Sequence, residues 1–271
     1  MKILVTGVDG FLGGAVLLKL RSTRENVVAI SRRGSTGATR CDLSNPADLI
    51  RMLDEQAPDC VINIAAEPNF GPGALSTIYS INSLAPAIIA AYCKTAEAYL
   101  IQVSGSIVHG FQYTRFNIET PCEPNLDYGV SKLLADRAVL ASGCRAAIVR
   151  FGAIFGDKGP LHLGINKAIA QAKEGVRPKL FGAGLSKRNY SYVQDGAAMI
   201  GRCLDRQIEG IFYAGGEVVT LAQMLNSICA VFLPGEQPAV VEGKDSPDQL
   251  VDVSPELGPY RSFQDALYDM R

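Results

Sequence analysis

The stretch from Ile3 to Gly13 constrains this chain more than any other. Ile3-Leu4-Val5 is a short apolar run, and it leads straight into Thr6-Gly7-Val8-Asp9-Gly10-Phe11-Leu12-Gly13. A helical pattern follows from Phe11 to about Ser22. Gly7, Gly10 and Gly13 are spaced three apart, a variant of the dinucleotide-binding fingerprint. Glycine at these points removes every Cβ between the backbone and a pyrophosphate. The free N–H groups at the helix start then face the anion. The turn follows a strand and opens a helix, the place such a fingerprint takes in a βαβ chain.

The next 140 residues keep that rhythm. Val27–Ile30, Cys60–Ile64, Tyr99–Val103 and Ala147–Arg150 are brief and apolar, as strands buried on both faces should be. Helical patterns separate them. One follows Asn45-Pro46-Ala47-Asp48, a capping residue with proline in the first turn. Others span roughly 74–95 and Tyr128–Ser142. This alternation predicts an α/β fold with a doubly wound parallel sheet of Rossmann type. After Gly156 the rhythm breaks at Asp157-Lys158-Gly159-Pro160. Helices are expected near Ile165–Lys173, Asp195–Arg206, Thr220–Phe232 and Ser262–Met270. Short strands are expected at Leu180-Phe181 and Gly210–Ala214. We read residues 1–155, with about 189–214, as the nucleotide-binding domain. Residues 156–188 and 215–271 form a smaller discontinuous substrate lobe.

Composition narrows the partners. Hydrophobic residues make up 48% of the 271, so a folded core is available, and the net charge is −1. A near-neutral chain gives no electrostatic case for nucleic acid or an anionic membrane. The seven cysteines are widely spaced and odd in number, and only His109 and His162 are histidines. That pattern fits neither a disulfide framework nor a metal site. No signal peptide is legible, and no apolar run approaches the roughly 20 residues that span a bilayer. A cytoplasmic protein is expected.

Two further stretches carry chemistry. The second strand ends in Ser31-Arg32-Arg33. Dinucleotide sites selective for NAD usually place an acid here, whereas arginine accommodates the 2′-phosphate of NADP. NADP is therefore the expected cofactor, with NAD as the alternative. Tyr128 and Lys132 stand four apart, on one face of a helix. A neighbouring ammonium lowers a phenol's pKa, and such a tyrosine can exchange a proton while a nicotinamide moves a hydride.

Taken in order, these motifs resemble the extended short-chain dehydrogenase/reductase family, the NAD(P)-dependent sugar epimerase/dehydratase group. The resemblance rests on Gly7/Gly10/Gly13, Asp42-Leu43, Asn63-Ile64-Ala65-Ala66, Asn82, Ser104–Gly110 and Tyr128/Lys132. It covers about the first 155 residues and continues weakly through Val149–Gly156 and Leu180–Asp195. It implies cofactor contacts at Gly7, Gly10, Phe11, Leu12, Gly13, Ser31, Arg32, Arg33, Asp42, Leu43, Ala65, Ala66, Asn82, Tyr128 and Lys132. Asp42 would reach the adenine edge, or else cap the following helix. Asn82 would steady the active-site backbone, and Glu67 would line the crevice. Arg188 would contact a substrate diphosphate. The substrate implied is a nucleotide sugar, and the assembly a homodimer.

One departure stands out. The family places a Ser or Thr four residues before a tyrosine that is His109 here, and the residue so counted is Gly105. Ser106 is the expected substitute, with Tyr128 and Lys132, in a reductase or epimerase. His109 is given no catalytic role. The 4,6-dehydratases of the family carry an acidic pair where this chain has Ser106-Ile107, which disfavours that reaction. The alternative reading is a catalytically impaired dinucleotide-binding regulatory or partner protein.

Overall fold

The first strand, β1 (Ile3–Thr6), is completely buried and is an interior strand of a parallel sheet. The structure, a computed structural model, describes residues 1–35, 37–68 and 75–271. On one side of β1 lie β2 (Val27–Ser31) and β3 (Thr39–Arg40). On the other lie β4 (Cys60–Asn63), β5 (Tyr99–Gly105), β6 (Ala146–Phe151) and β7 (Gly210–Ala214). All seven run parallel. The chain moves outward through β2 and β3, then returns to place β4 beside β1. That reversal opens a crevice at the carboxyl ends of β1 and β4.

Alternation along β1 divides the core. Ile3 and Val5 face a layer that includes α1 (Phe11–Arg21) and α6 (Val193–Arg206). Leu4 faces the opposite layer, built from α2 (Pro46–Gln56), α3 (Leu75–Thr95) and α4 (Asp127–Ser142). The Asn45 carboxamide caps α2 by accepting from the amides of Ala47 and Asp48. Asp42 is therefore not that cap. Its carboxylate accepts from the Ser44 amide and hydroxyl instead.

The remaining helices, α5 (Gly164–Lys173), α7 (Leu221–Phe232) and α8 (Phe263–Tyr268), extend the first layer. Thr220 and Gln223 form a capping box on α7. Two-residue strand pairs lie between this part and the sheet. Leu250–Val251 pairs with Arg115–Phe116, and Ser191–Tyr192 with Ile154–Phe155.

Helix α3 departs from expectation twice. Its predicted start at residue 74 lies outside the described residues. Its 21 residues and mean hydropathy of 1.2 make it long and apolar enough to cross a membrane by length and composition, contrary to the sequence reading. Here Ala85, Ile89, Ala90 and Cys93 bury one face of it against the sheet. It also contains a π-helical turn at Ser80–Leu84, where the amide of Ala85 donates to the carbonyl of Ser80. Pro86 supplies the cause. It has no amide to give, and its ring crowds the carbonyl four residues back.

Candidate active site

The crevice is a cleft of about 790 Å³ running from the glycine turn to the end of β5 and on to the C-terminal segments. Gly7, Gly10, Phe11, Leu12 and Gly13 line one end. Gly7 has φ of +71°, and a Cβ on it would stand 2.6 Å from the amide nitrogen of Ala65. A Cβ on Gly13 would come within 2.0 Å of the Gly7 carbonyl oxygen. The turn thus folds only with glycine at both positions. The first bond inside α1 runs from Gly14 to the Gly10 carbonyl at 2.8 Å, and no side chain caps the helix. The amides of Phe11, Leu12 and Gly13 are left over, which is the donor set an anionic diphosphate takes.

Ser31, Arg32, Arg33, Asp42, Leu43, Ala65, Ala66 and Glu67 line the same end. Ser104, Gly105, Ser106, Tyr128 and Lys132 line the middle, and Arg188 the far end. Asn82 does not line the cleft. It is buried in the π-turn behind it, where its carboxamide accepts from the Glu67 amide at 2.8 Å and donates to the Glu67 carbonyl and the Ser131 hydroxyl. It fixes the backbone of the cleft wall against α4.

Lys132 is buried, and its ammonium donates to the Val103 carbonyl at 2.6 Å. Burial lowers its pKa to about 8, with the Asp136 carboxylate opposing. Burial raises the half-buried Tyr128 phenol above its ordinary value. This corrects the expectation of a lowered phenol. The desolvation of the tyrosine prevails in the protein on its own.

β5 remains extended through Gly105, and Ser106 opens a 3₁₀ turn, Ser106–His109. That turn is the local irregularity that brings Ser106 to the cleft wall, even though neighbouring strand residues face opposite ways. Ser104 is turned toward the buried Asp136 carboxylate. His109 is completely buried, its Nδ1 3.0 Å from the Pro121 carbonyl and its Nε2 3.0 Å from the Tyr213 hydroxyl. Arg188 is half-buried, and its guanidinium donates to the Lys187 and Pro247 carbonyls and to the Ser246 hydroxyl.

The profile of the NAD dependent epimerase/dehydratase family matches residues 3–215. The chain belongs to this family. It is an enzyme of the extended short-chain dehydrogenase/reductase type. A dTDP-glucose 4,6-dehydratase of Mycolicibacterium smegmatis is 28% identical over 241 residues, covering 80% of this chain and 73% of the relative. A dTDP-4-dehydrorhamnose reductase of Burkholderia thailandensis is 28% identical over 223 residues, covering 79% and 71%. The solved UDP-glucuronic acid 4-epimerase of Bacillus cereus, in complex with NAD, shares the fold. Its TM-score is 0.83 at 22% identity, with 100% of this chain and 96% of that one covered.

Sequence reasoning missed the wiring of this family site. Thr6 Oγ1 donates to Asn63 Oδ1 at 2.6 Å, and Asn63 Nδ2 to Gln102 Oε1 at 2.8 Å. Gln102 Nε2 donates to the same Val103 carbonyl that holds Lys132. All three side chains are buried. They form a polar row from the carboxyl ends of β1 and β4 to the middle of β5, linking the glycine turn to the lysine. The signal was present as single polar residues in apolar runs: Thr6 and Asn63 close their strands, and Gln102 interrupts β5. A second row, Asp136 to Arg150 at 2.9 Å and Arg150 to the Tyr213 hydroxyl at 2.8 Å, is buried behind α4. Asp136 stands one helical turn after Lys132, a spacing that could have revealed it.

Proposed function

We propose that this chain is an NAD(P)-dependent reductase or epimerase of nucleotide sugars working through Tyr128, Lys132 and Ser106. The observation that carries the reading is the meeting in one cleft of the glycine turn, the Tyr-Lys face of α4 and the Ser106 turn. The spare amides of α1 and the glycine cradle fit a dinucleotide diphosphate. Arg32 and Arg33 offer the ribose end the cations that the 2′-phosphate of NADP would use. When bound, the nicotinamide supplies or accepts the hydride.

Tyr128 handles the proton. Burial keeps its phenol protonated near neutrality, which suits the acid that delivers a proton to a carbonyl oxygen during reduction. Lys132 is mostly charged at pH 7; with Asn82 behind the wall, it sets the electrostatics and position of that tyrosine. Ser106 donates to the reacting oxygen. Arg188 takes the substrate diphosphate, the group shared by the dTDP and UDP sugars named for the relatives. The acids lining the cleft are Asp9, Asp42 and Glu67, at the cofactor end among the described residues. Ser106 and Ile107 stand where elimination would need its acidic pair, so reduction or epimerisation is favoured over 4,6-dehydration. A homodimer formed through α3 and α4 belongs to the same reading.

The test is oxidation of NADH or NADPH with a panel of keto-sugar nucleotides, and exchange at C4 of the corresponding sugars for epimerisation. Turnover that falls about 10²–10⁴-fold in Tyr128→Phe, with cofactor affinity retained, supports the reading. Native protein inert on every substrate, or Tyr128→Phe within a few-fold of native, overturns it.

A further inference from the structure

The end of β2 carries Ser31 where an NAD site usually presents a carboxylate to the adenosine ribose. A carboxylate is nonetheless there, delivered by another element. Asp9, in the glycine turn, accepts from the Ser31 hydroxyl at 2.6 Å through one oxygen and from the Ser35 hydroxyl through the other. The Ser31 hydroxyl oxygen accepts in turn from the amides of Arg33 at 3.2 Å and Ser35 at 3.3 Å. Asp9 is thereby bolted to the end of β2. The two serine bonds, with Arg33 nearby, hold its carboxyl below the usual range, so it is ionised at any working pH.

Asp9 is exposed and lines the cleft beside Ser31, Arg32 and Arg33. A carboxylate has about four acceptor sites, and the serines use two of them. Acceptors are therefore left for a ribose diol. The charges around it also offset the arginines. Arg32 lies 3.8 Å from Glu67 and helps lower the pKa of Asp42, and Arg33 helps lower that of Asp9. Two arginines share this end of the cleft with three carboxylates, Asp9, Asp42 and Glu67, so a 2′-phosphate finds little net attraction there.

We propose that Asp9 is the residue that sets cofactor specificity: its carboxylate accepts the ribose 2′-hydroxyl of NAD and opposes the 2′-phosphate of NADP. The arginines alone would select NADP; Asp9 pulls the balance back toward NAD. The inference rests on the reading of this cleft as a nicotinamide-dinucleotide site.

The experiment measures the dissociation constants of NADH and NADPH for the full chain, native and Asp9→Asn, by titration calorimetry. The variant removes the charge and keeps the shape. NADPH is expected to gain on NADH by roughly ten-fold in the ratio of the two constants, with NADH itself weakened severalfold. Asp9→Ser, which also removes the charge, reads the same ratio should the asparagine disturb the turn. A ratio within two-fold of native, with both cofactors still bound, overturns the role of Asp9 and leaves the dinucleotide reading standing. Native protein that binds neither cofactor overturns that reading, and this inference with it.

Discussion

Lys132 carries a titration that the protein's stability must report. Its folded pKa is about 8 against an ordinary value of 10.5. Between those values the unfolded chain holds a proton that the folded chain has released, so this group's contribution to stability rises with pH. Below pH 8 both states are protonated and the full burial penalty remains. Lys132→Met is free of that penalty. The melting temperature of the variant relative to native should therefore be highest near pH 7 and decline toward pH 10. A difference constant across that range would show that Lys132 is not buried as a shifted cation. At this scale legibility was uneven. Tyr128 and Lys132 are legible as a pair because both lie on one helix, four residues apart, and both line the cleft. Asp9 was passed over as an unspecified residue of the glycine turn. Its meaning comes from Ser31 and Ser35, and that contact exists only once β1 and β2 pair.

Two elements depart from regular form beside the cleft. In α3 the π-turn forced by Pro86 carries Asn82 into its bonds with Glu67 and Ser131. Helical periodicity alone reads that segment as one regular helix, because it weighs apolar faces and not the missing proline amide. In β5 the strand runs on to Gly105 before the 3₁₀ turn begins at Ser106. A Cβ on Gly105 would meet the Ile107 Cγ2 at 3.5 Å and the Phe151 carbonyl oxygen at 3.6 Å, ordinary contacts both. Gly105→Ser should therefore fold with an unchanged melting temperature. Ser106→Ala should lower kcat by roughly 10²–10³-fold, the usual cost of a lost donor to a reacting oxygen. The double variant should recover part of that loss, since the added hydroxyl stands where the family keeps its own. Steady-state kinetics on the three variants decide the matter. Full activity in Ser106→Ala would remove Ser106 from the mechanism.

At the scale of the whole molecule, six strands of the sheet were legible because strands buried on both faces read as bare apolar runs; the edge strand β3, the exposed pair Thr39–Arg40, carries no such signal. The short pairs, such as Arg115–Phe116 with Leu250–Val251, were not legible either. Two residues carry no period, and in this pair Leu250 lies 135 positions from its partner Arg115. The same scale accounts for the apolarity of α3. The face opposite the sheet bears Leu84, Ala87, Ile88 and Ala91 at helical spacing, all at least partly exposed. On the adjoining α4, Val130, Leu134, Ala138 and Ala141 repeat the pattern. A solvated helix would carry polar residues there. Two copies of the chain set face to face on these stripes would cover both at once, the self-complementary patch of a two-fold dimer. Sedimentation equilibrium should thus give the native protein twice the 28.9 kDa chain mass. Leu84 and Leu134 are 46% and 43% exposed, so a charge at either costs the folded chain little. Leu84→Glu with Leu134→Glu should halve the mass and leave the circular dichroism spectrum unchanged. Native protein at 28.9 kDa would remove the dimer, and a double variant still at twice that mass would move the interface off these helices.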